Sequence, residues 1–230
     1  MSVHLTKLLP QSIRQPMKEM MMRRQLRRAI DAIRKVPEGQ IPDRQLLSDL
    51  IEGWGNQGYA AKVDYLAAVA KNSVNTPGPV LECGSGATTL LMGVLCGRRN
   101  IEVWTLEHSR EWLQRVEEAL MRNHISGVHV CESPLVEYGD FVWYDPPLGR
   151  MPKEFSLVIC DGPPGVTKGN RYGLLPVMGN RVPAGSTILL DDAERPGELE
   201  VIQKWEHEAT FQTDLFDNQG RKYAVMRRSA

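Results

Sequence analysis

The chain has 230 residues with 28 basic and 28 acidic side chains, so its formal charge is zero. That balance creates no global field to draw nucleic acid or an anionic membrane, and no apolar run approaches the roughly twenty residues a membrane-spanning helix needs. The length suits one large domain or a domain with an appendage, and we expect the second: a helical arm and cap over residues 1–75, then an α/β domain over 76–230. A soluble, cytoplasmic protein is expected, with no membrane insertion and no nucleic-acid partner. Cys83, Cys96, Cys131 and Cys160 have neither zinc-site nor disulfide-framework spacing, so they are expected as buried, reduced thiols.

In chain order, residues 1–16 are broken by Pro10 and Pro16 and are expected to be a loose arm. Residues 17–36 carry a helical pattern. Met22, Leu26, Ala29, Ile30 and Ile33 share one face, and Arg23, Arg24, Arg27, Arg34 and Lys35 fill the rest. Such a basic amphipathic helix either docks on the protein's own core or binds anionic lipid, RNA or an acidic groove. Pro37 and Gly39 end it, and a second helix is expected over 43–51. Gly53, Trp54, Gly55, Gly58 and Tyr59 then suit either a mobile lid with two aromatic clamps or a segment anchored in the core by Trp54. A third helix is expected over 60–71, and residues 72–79 are a breaker-rich connection.

The apolar run ending Val80-Leu81-Glu82 passes directly into Cys83-Gly84-Ser85-Gly86 and then into a helix over 89–95. This is how a parallel strand hands over to a helix beneath a ligand, the glycines allowing a tight bend and close approach. Glu82 beside the turn argues against a pyrophosphate and suits a ligand with an amino or sulfonium group. Position 89 is Thr where a dinucleotide fingerprint wants glycine, and no Gly-Lys-Ser/Thr follows. The next strand, 102–107, ends in Glu107, placed to accept both hydroxyls of a ribose. His108 follows at the same strand edge, where it touches a nucleoside, caps a helix or meets solvent. A helix over 111–123, with Trp112, Val116, Ala119 and Leu120 inward, leads to a strand over 128–131 and the turn Glu132-Ser133.

With Phe155-Ser156-Leu157-Val158-Ile159-Cys160-Asp161 as a further strand, the sequence over roughly 76–230 resembles the class I S-adenosylmethionine-dependent methyltransferases. The resemblance implies a seven-stranded, mostly parallel, doubly wound Rossmann-like α/β sheet. It implies S-adenosyl-L-methionine as cofactor, with Glu82, Cys83, Gly84, Ser85, Gly86 and Asp161 at its methionine end. Glu107 and His108 would meet the ribose side, and Glu132 and Ser133 the adenine. Tyr144-Asp145-Pro146-Pro147 looks like the motif of methyltransferases acting on base amines. A strand ending there would leave no room for a crossover before residue 157, so 138–144 is expected as an edge or hairpin.

Asp161 closes the fourth parallel strand, and the fifth, 186–190, closes on Asp191-Asp192. Neighbouring tips bring these acids together, and their repulsion implies a cation. The arrangement resembles the metal-dependent O-methyltransferases of the catechol type, which implies Mg2+ held by Asp161, Asp191 and Asp192. It also implies Asp161 and Asp191 as catalytic groups, with Lys168 as the base reaching in from the loop. Asp192 stands where that family has Asn, and Pro164 where it has its lysine. The alternative gives Asp161 to the ligand's ammonium end and leaves Asp191 or Asp192 to cap a helix or pair with Arg195. Lys168, Arg171 and Tyr172 are expected to face an acceptor. A helix over 198–209 with Leu199, Ile202 and Trp205 inward and a terminal hairpin over 211–226 complete the chain.

The implied activity is methyl transfer to an oxygen of a small molecule or sugar. The alternatives are another nucleoside-cofactor enzyme, such as an aminopropyl transferase or an NAD-dependent oxidoreductase, and a binding module acting through the basic helix.

Overall fold

A computed structural model describes residues 11–55, 61–218 and 220–230. Three helices come first: α1 (Gln11–Ile33), α2 (Arg44–Trp54) and α3 (Val63–Asn75). Alternation then follows, with β1 (Val80–Cys83), α4 (Ala87–Gly97), β2 (Val103–Glu107), α5 (Arg110–Arg122) and β3 (Val128–Glu132). The hairpin β4 (Leu135–Glu137) and β5 (Val142–Tyr144) precedes β6 (Leu157–Cys160), α6 (Leu174–Met178), β7 (Thr187–Leu190) and α7 (Pro196–Glu208). The pair β8 (Phe211–Asn218) and β9 (Arg221–Arg228) ends the fold.

One seven-stranded sheet runs in the order β3-β2-β1-β6-β7-β9-β8, parallel from β3 to β7 and antiparallel beyond. The central strands β1 and β6 are buried on both faces, which is why β6 reads as an unbroken apolar run and β1 as one interrupted only by the buried Glu82. Strand order reverses between β1 and β6, the chain adding β2 and β3 on one side and β6 and β7 on the other, so the switch point lies at the C-terminal ends of these two parallel strands. Register aligns those ends: Cys83 pairs with Leu106 on one side and Cys160 on the other, and Cys160 pairs with Leu190. The residues that follow, Gly84, Glu107, Asp161 and Asp191, therefore share one edge. β4 and β5 form a separate antiparallel pair, as the crossover argument requires.

Two apolar clusters cover the sheet. One joins Leu26, Ile30 and Ile33 of α1, Leu47 and Leu50 of α2, and Tyr65 and Leu66 of α3 to α4 and the sheet. The other packs Trp143, Phe155 and Trp205 against the opposite face. Crossing of α1 over α2 depends on Gly53, where an added Cβ would lie 2.4 Å from the Leu26 backbone nitrogen. α2 begins on Asp43, whose carboxylate accepts from the Leu46 amide, and ends on Gly55 in the left-handed conformation.

Three expectations about elements change, and the alternative left open at Trp54 is resolved. α1 starts at Gln11, not after Pro16, because Pro16 lies early in the helix, where the one carbonyl it leaves free belongs to exposed Ser12. Trp54 is a core anchor and is 4 % exposed, while Tyr59 lies outside the described residues. The inward face of α7 is Glu198, Val201, Ile202 and Trp205, and Leu199 points outward. Trp112 is half-buried, not fully inward.

Candidate active site

The turn after β1 is built by backbone. Gly84 has φ +83, and an added Cβ would lie 3.2 Å from the Gly162 nitrogen, so the turn packs directly on the exit from β6. Its amide donates to Leu106 O of β2, and the Asp161 and Gly162 amides both donate to Cys83 O. Gly86 donates its amide to Thr89 Oγ1 at 2.9 Å. The Thr89 hydroxyl then donates to Glu82 Oε2 at 2.7 Å, joined there by Thr105 at 2.7 Å, while Thr88 donates to Oε1. Glu82 has no exposed surface. Its carboxylate holds the turn from beneath through three threonines, so its contact is with the protein and not with the ligand-facing side. Burial pushes its carboxyl up to about 7, against the pull of those hydroxyls.

Glu107, at the tip of β2, is also saturated by protein groups. Its Oε2 accepts from the Ser85 amide at 3.1 Å and the Ser85 hydroxyl at 2.6 Å, and its Oε1 from the Ser109 amide at 2.8 Å. His108 Nδ1 lies 3.2 Å from Oε1. Burial raises the Glu107 carboxyl, but the neighbouring His108, Ser85 and Ser109 donors outweigh it and hold the group below the usual glutamate value. Trp112 Nε1 donates to Ser85 O, and Trp54 meets Trp112 edge to face at 5.6 Å, walling the far side of the turn.

At the tips of β6 and β7 the acids converge as expected, and the cation among them belongs to the chain. Arg171 is 1 % exposed. Its Nη2 donates to Asp161 Oδ1 at 3.2 Å, Asp161 O at 2.7 Å and Asp192 Oδ2 at 3.0 Å, and its Nη1 to Asp191 O. Its Nε stands 3.7 Å from Glu198 Oε1. Burial works against the guanidinium charge, yet Asp161, Glu198 and Asp192 overcome it and raise its pKa above the ordinary value. Arg195 and Arg221 reach Asp192 from outside at 3.0 and 3.5 Å.

Ligand atoms of Asp161, Asp191 and Asp192 lie within 4.8 Å of one another. A divalent ion there would stand against a guanidinium already bonded to two of those carboxylates, so the site does not fit a resident Mg2+ and no step is derived through one. Burial also raises the carboxyls of Asp161, Asp191 and Glu198. For Asp161, 31 % of the side chain stays open on the outer side of the cluster.

The other expected residues separate. Lys168 is exposed in a turn that is tied to the hairpin by the Val142 amide donating to Lys168 O, and its ammonium donates to Gly139 O, so it does not reach the acids. The Tyr172 hydroxyl donates to Glu208 of α7, and Arg171 is buried, so no acceptor-facing trio forms. Ser133 is buried, its amide on Glu107 O and its hydroxyl on Cys131 O, while Glu132 beside it is exposed. Cys83 is a buried free thiol, as are Cys96, Cys131 and Cys160.

Two participants escape a sequence reading. Glu198 shows only as an acid on an apolar face, in step with Val201, Ile202 and Trp205 at helical spacing. Tyr144 belongs to the discarded Asp-Pro-Pro motif, yet its fully buried hydroxyl lies 2.2 Å from where a Gly162 Cβ would stand and has no hydrogen-bond partner among the described residues. His108, whose Nδ1 faces Glu107 Oε1, lies on the same edge with its ring 6.1 Å from that of Tyr144.

Known structures share this fold. An SAH-bound methyltransferase from Podospora anserina superposes with a TM-score of 0.61 at 15 % identity, covering 83 % of this chain and 89 % of that one. The chain has the class I methyltransferase fold. A methyltransferase from Geobacter sulfurreducens gives 0.57 at 13 % identity over 82 % of this chain and 93 % of its own. The ribosomal protein L11 methylase of Lactobacillus delbrueckii subsp. bulgaricus gives 0.53 at 14 % identity over 76 % and 81 %. No family model matches the sequence, and no curated protein matches it. Within the class I methyltransferase fold, the edge that carries Gly84, Glu107 and Asp161 is the switch-point edge, where open α/β sheets bind ligands.

Proposed function

We propose that the protein is an S-adenosylmethionine-dependent methyltransferase acting on an oxygen of a small molecule or sugar. The observation that carries the reading is the alignment of the Gly84-Ser85-Gly86 turn, Glu107 and Asp161 along one switch-point edge. The SAH-bound neighbour supports the choice of cofactor. Residues here fit that group. The turn presents backbone with no Cβ at Gly84 and Gly86, and the unpartnered Tyr144 hydroxyl offers unused hydrogen-bonding capacity on the same edge as Glu107. The sulfonium of the bound cofactor supplies an already activated methyl group.

The chain's own part is alignment and proton handling. Glu107 exchanges the Ser85 hydroxyl for the ribose hydroxyls, and Ser85 is free to turn because its side chain is only half-buried. Glu82 keeps the turn in place from below. Asp161 offers the acceptor hydroxyl a carboxylate on the open side of the acid cluster. Burial foremost, against the pull of Arg171 and with the push of Asp192 and Glu82, brings its carboxyl up to about 7, which suits a proton acceptor near neutrality. Arg171 fixes that carboxylate from behind.

The test is calorimetric titration with S-adenosylmethionine in buffer holding a chelator. One-to-one binding that weakens by about tenfold or more in Glu107→Ala is expected, the loss of a charged acceptor for two hydroxyls. Unchanged affinity in that variant would remove Glu107 from the site, and no binding by the native chain would remove the cofactor.

A further inference from the structure

α1 divides into two unlike halves. From Leu26 onward, Leu26, Ala29, Ile30 and Ile33 are buried against α2 and the sheet-covering core. From residue 12 to residue 21 every side chain is exposed. That projecting stretch is not polar. Ile13, Met17, Met20 and Met21 are 49 %, 37 %, 44 % and 61 % exposed, and their spacing of four, seven and eight residues puts them in one stripe, away from the face that α1 turns to the core.

Cations ring the stripe. At 100° per residue, Arg14 and Lys18 flank it on one side, Arg23 and Arg27 on the other, and Arg24 and Arg28 continue its line one turn further on. All six are exposed, and Glu19 is the one acid within residues 11–28. Beneath the same turns lies a groove of about 700 Å3 whose lining sets Lys18, Arg23, Arg27, Arg115 and Arg122 against two acids, Glu19 and Glu118, the latter paired with Arg122 at 2.9 Å.

We propose that residues 11–28 form a docking element for an anionic lipid surface, with Ile13, Met17, Met20 and Met21 entering the headgroup boundary and the collar of cations meeting lipid phosphates. An apolar stripe edged by basic side chains, on a stretch of helix that meets no partner among the described residues, is the pattern of a helix lying in an interface. A second copy of the chain fits poorly, because pairing the stripes would bring the two collars of cations together. An RNA would use the cations and leave the four apolar side chains without a role. Among the described residues no helix is long and apolar enough to cross a membrane, so the contact is peripheral.

The experiment is co-sedimentation of the full chain with phosphatidylcholine vesicles, with and without about a third phosphatidylglycerol, at two salt concentrations. Binding to the anionic vesicles alone, weakened by salt, is expected, with a loss of about fivefold for each arginine neutralised in Arg23→Gln and Arg24→Gln. Met17→Asp and Met20→Asp should abolish sedimentation while leaving the melting temperature unchanged, since both side chains face solvent. Absence of binding to anionic vesicles would overturn the proposal. So would binding that survives both methionine variants, or RNA binding or dimerisation that those variants remove while vesicle binding is absent.

Discussion

Arg171 is the residue on which the acidic edge depends. Three carboxylates, from Asp161, Asp192 and Glu198, stand within reach of one buried guanidinium that also bonds the Asp191 carbonyl, and Asp191 Oδ1 and both Glu198 oxygens already lack hydrogen-bond partners among the described residues. Replacing Arg171 by Met keeps its length and removes its charge. Leaving buried like charges uncompensated costs about 3–5 kcal/mol, which in a chain of this size lowers the melting temperature by roughly 10 °C. Lys168→Met removes an exposed cation that touches only a carbonyl and should change stability by less than about 0.5 kcal/mol. Thermal melts of the two variants separate the cases, and equal melting temperatures would mean that Arg171 is not the internal counter-ion. Sequence spacing implies a cation among Asp161, Asp191 and Asp192. It does not show which one, because a loop places Lys168 and Arg171 three residues apart and only packing decides which turns inward.

Elements are legible where one periodicity dominates. β1, β2 and β6 are apolar runs that end in Glu82-Cys83, Glu107 and Cys160-Asp161, so their ends, and with them the candidate site, can be placed from sequence. α7 is harder to orient, because hydrophobicity favours Leu199 as an inward residue while the pull of Arg171 turns Glu198 inward by one position. The start of α1 is hidden by Pro16, whose cost is small where the freed carbonyl meets water. Close backbone approach is also invisible in a sequence, and Gly53 is the case that tests it. On helix propensity alone, Gly53→Ala should stabilise the protein by about 1 kcal/mol. The new Cβ would stand 2.4 Å from Leu26 N and 2.6 Å from Leu26 Cα, both backbone atoms that cannot move without separating α1 from α2. Overpacking of about 1–3 kcal/mol then outweighs propensity, and the urea midpoint should fall. A rise in midpoint would show that the two helices slide apart without loss.

At the scale of the whole molecule, these buried acids give the fold a pH dependence of definite sign. Glu82 and Asp161 are each pushed up to about 7, and Asp191 and Glu198 are raised too, with burial the largest cause in every case. The folded chain therefore holds protons that the unfolded chain has released once pH passes the ordinary carboxylate range. Stability is fully present below that range and is lost as pH rises through the folded values. Glu107 acts in the opposite sense. Its carboxyl is held below the ordinary value, so its contribution is present above that value and disappears as pH falls through the folded one. The two trends place the stability maximum on the mildly acidic side of neutrality. Urea midpoints should accordingly be higher at pH 5 than at pH 8. Glu82→Gln isolates one contributor, since the amide keeps the shape beneath the glycine turn and cannot ionise against Thr88, Thr89 and Thr105. Moving a carboxyl from 4.5 to about 7 corresponds to on the order of 3 kcal/mol, and the variant should lose a drop of that size between pH 5 and pH 8. Parallel pH profiles for the native chain and the variant would mean that the three threonine hydroxyls already hold Glu82 ionised, and the turn would then rest on a buried charge.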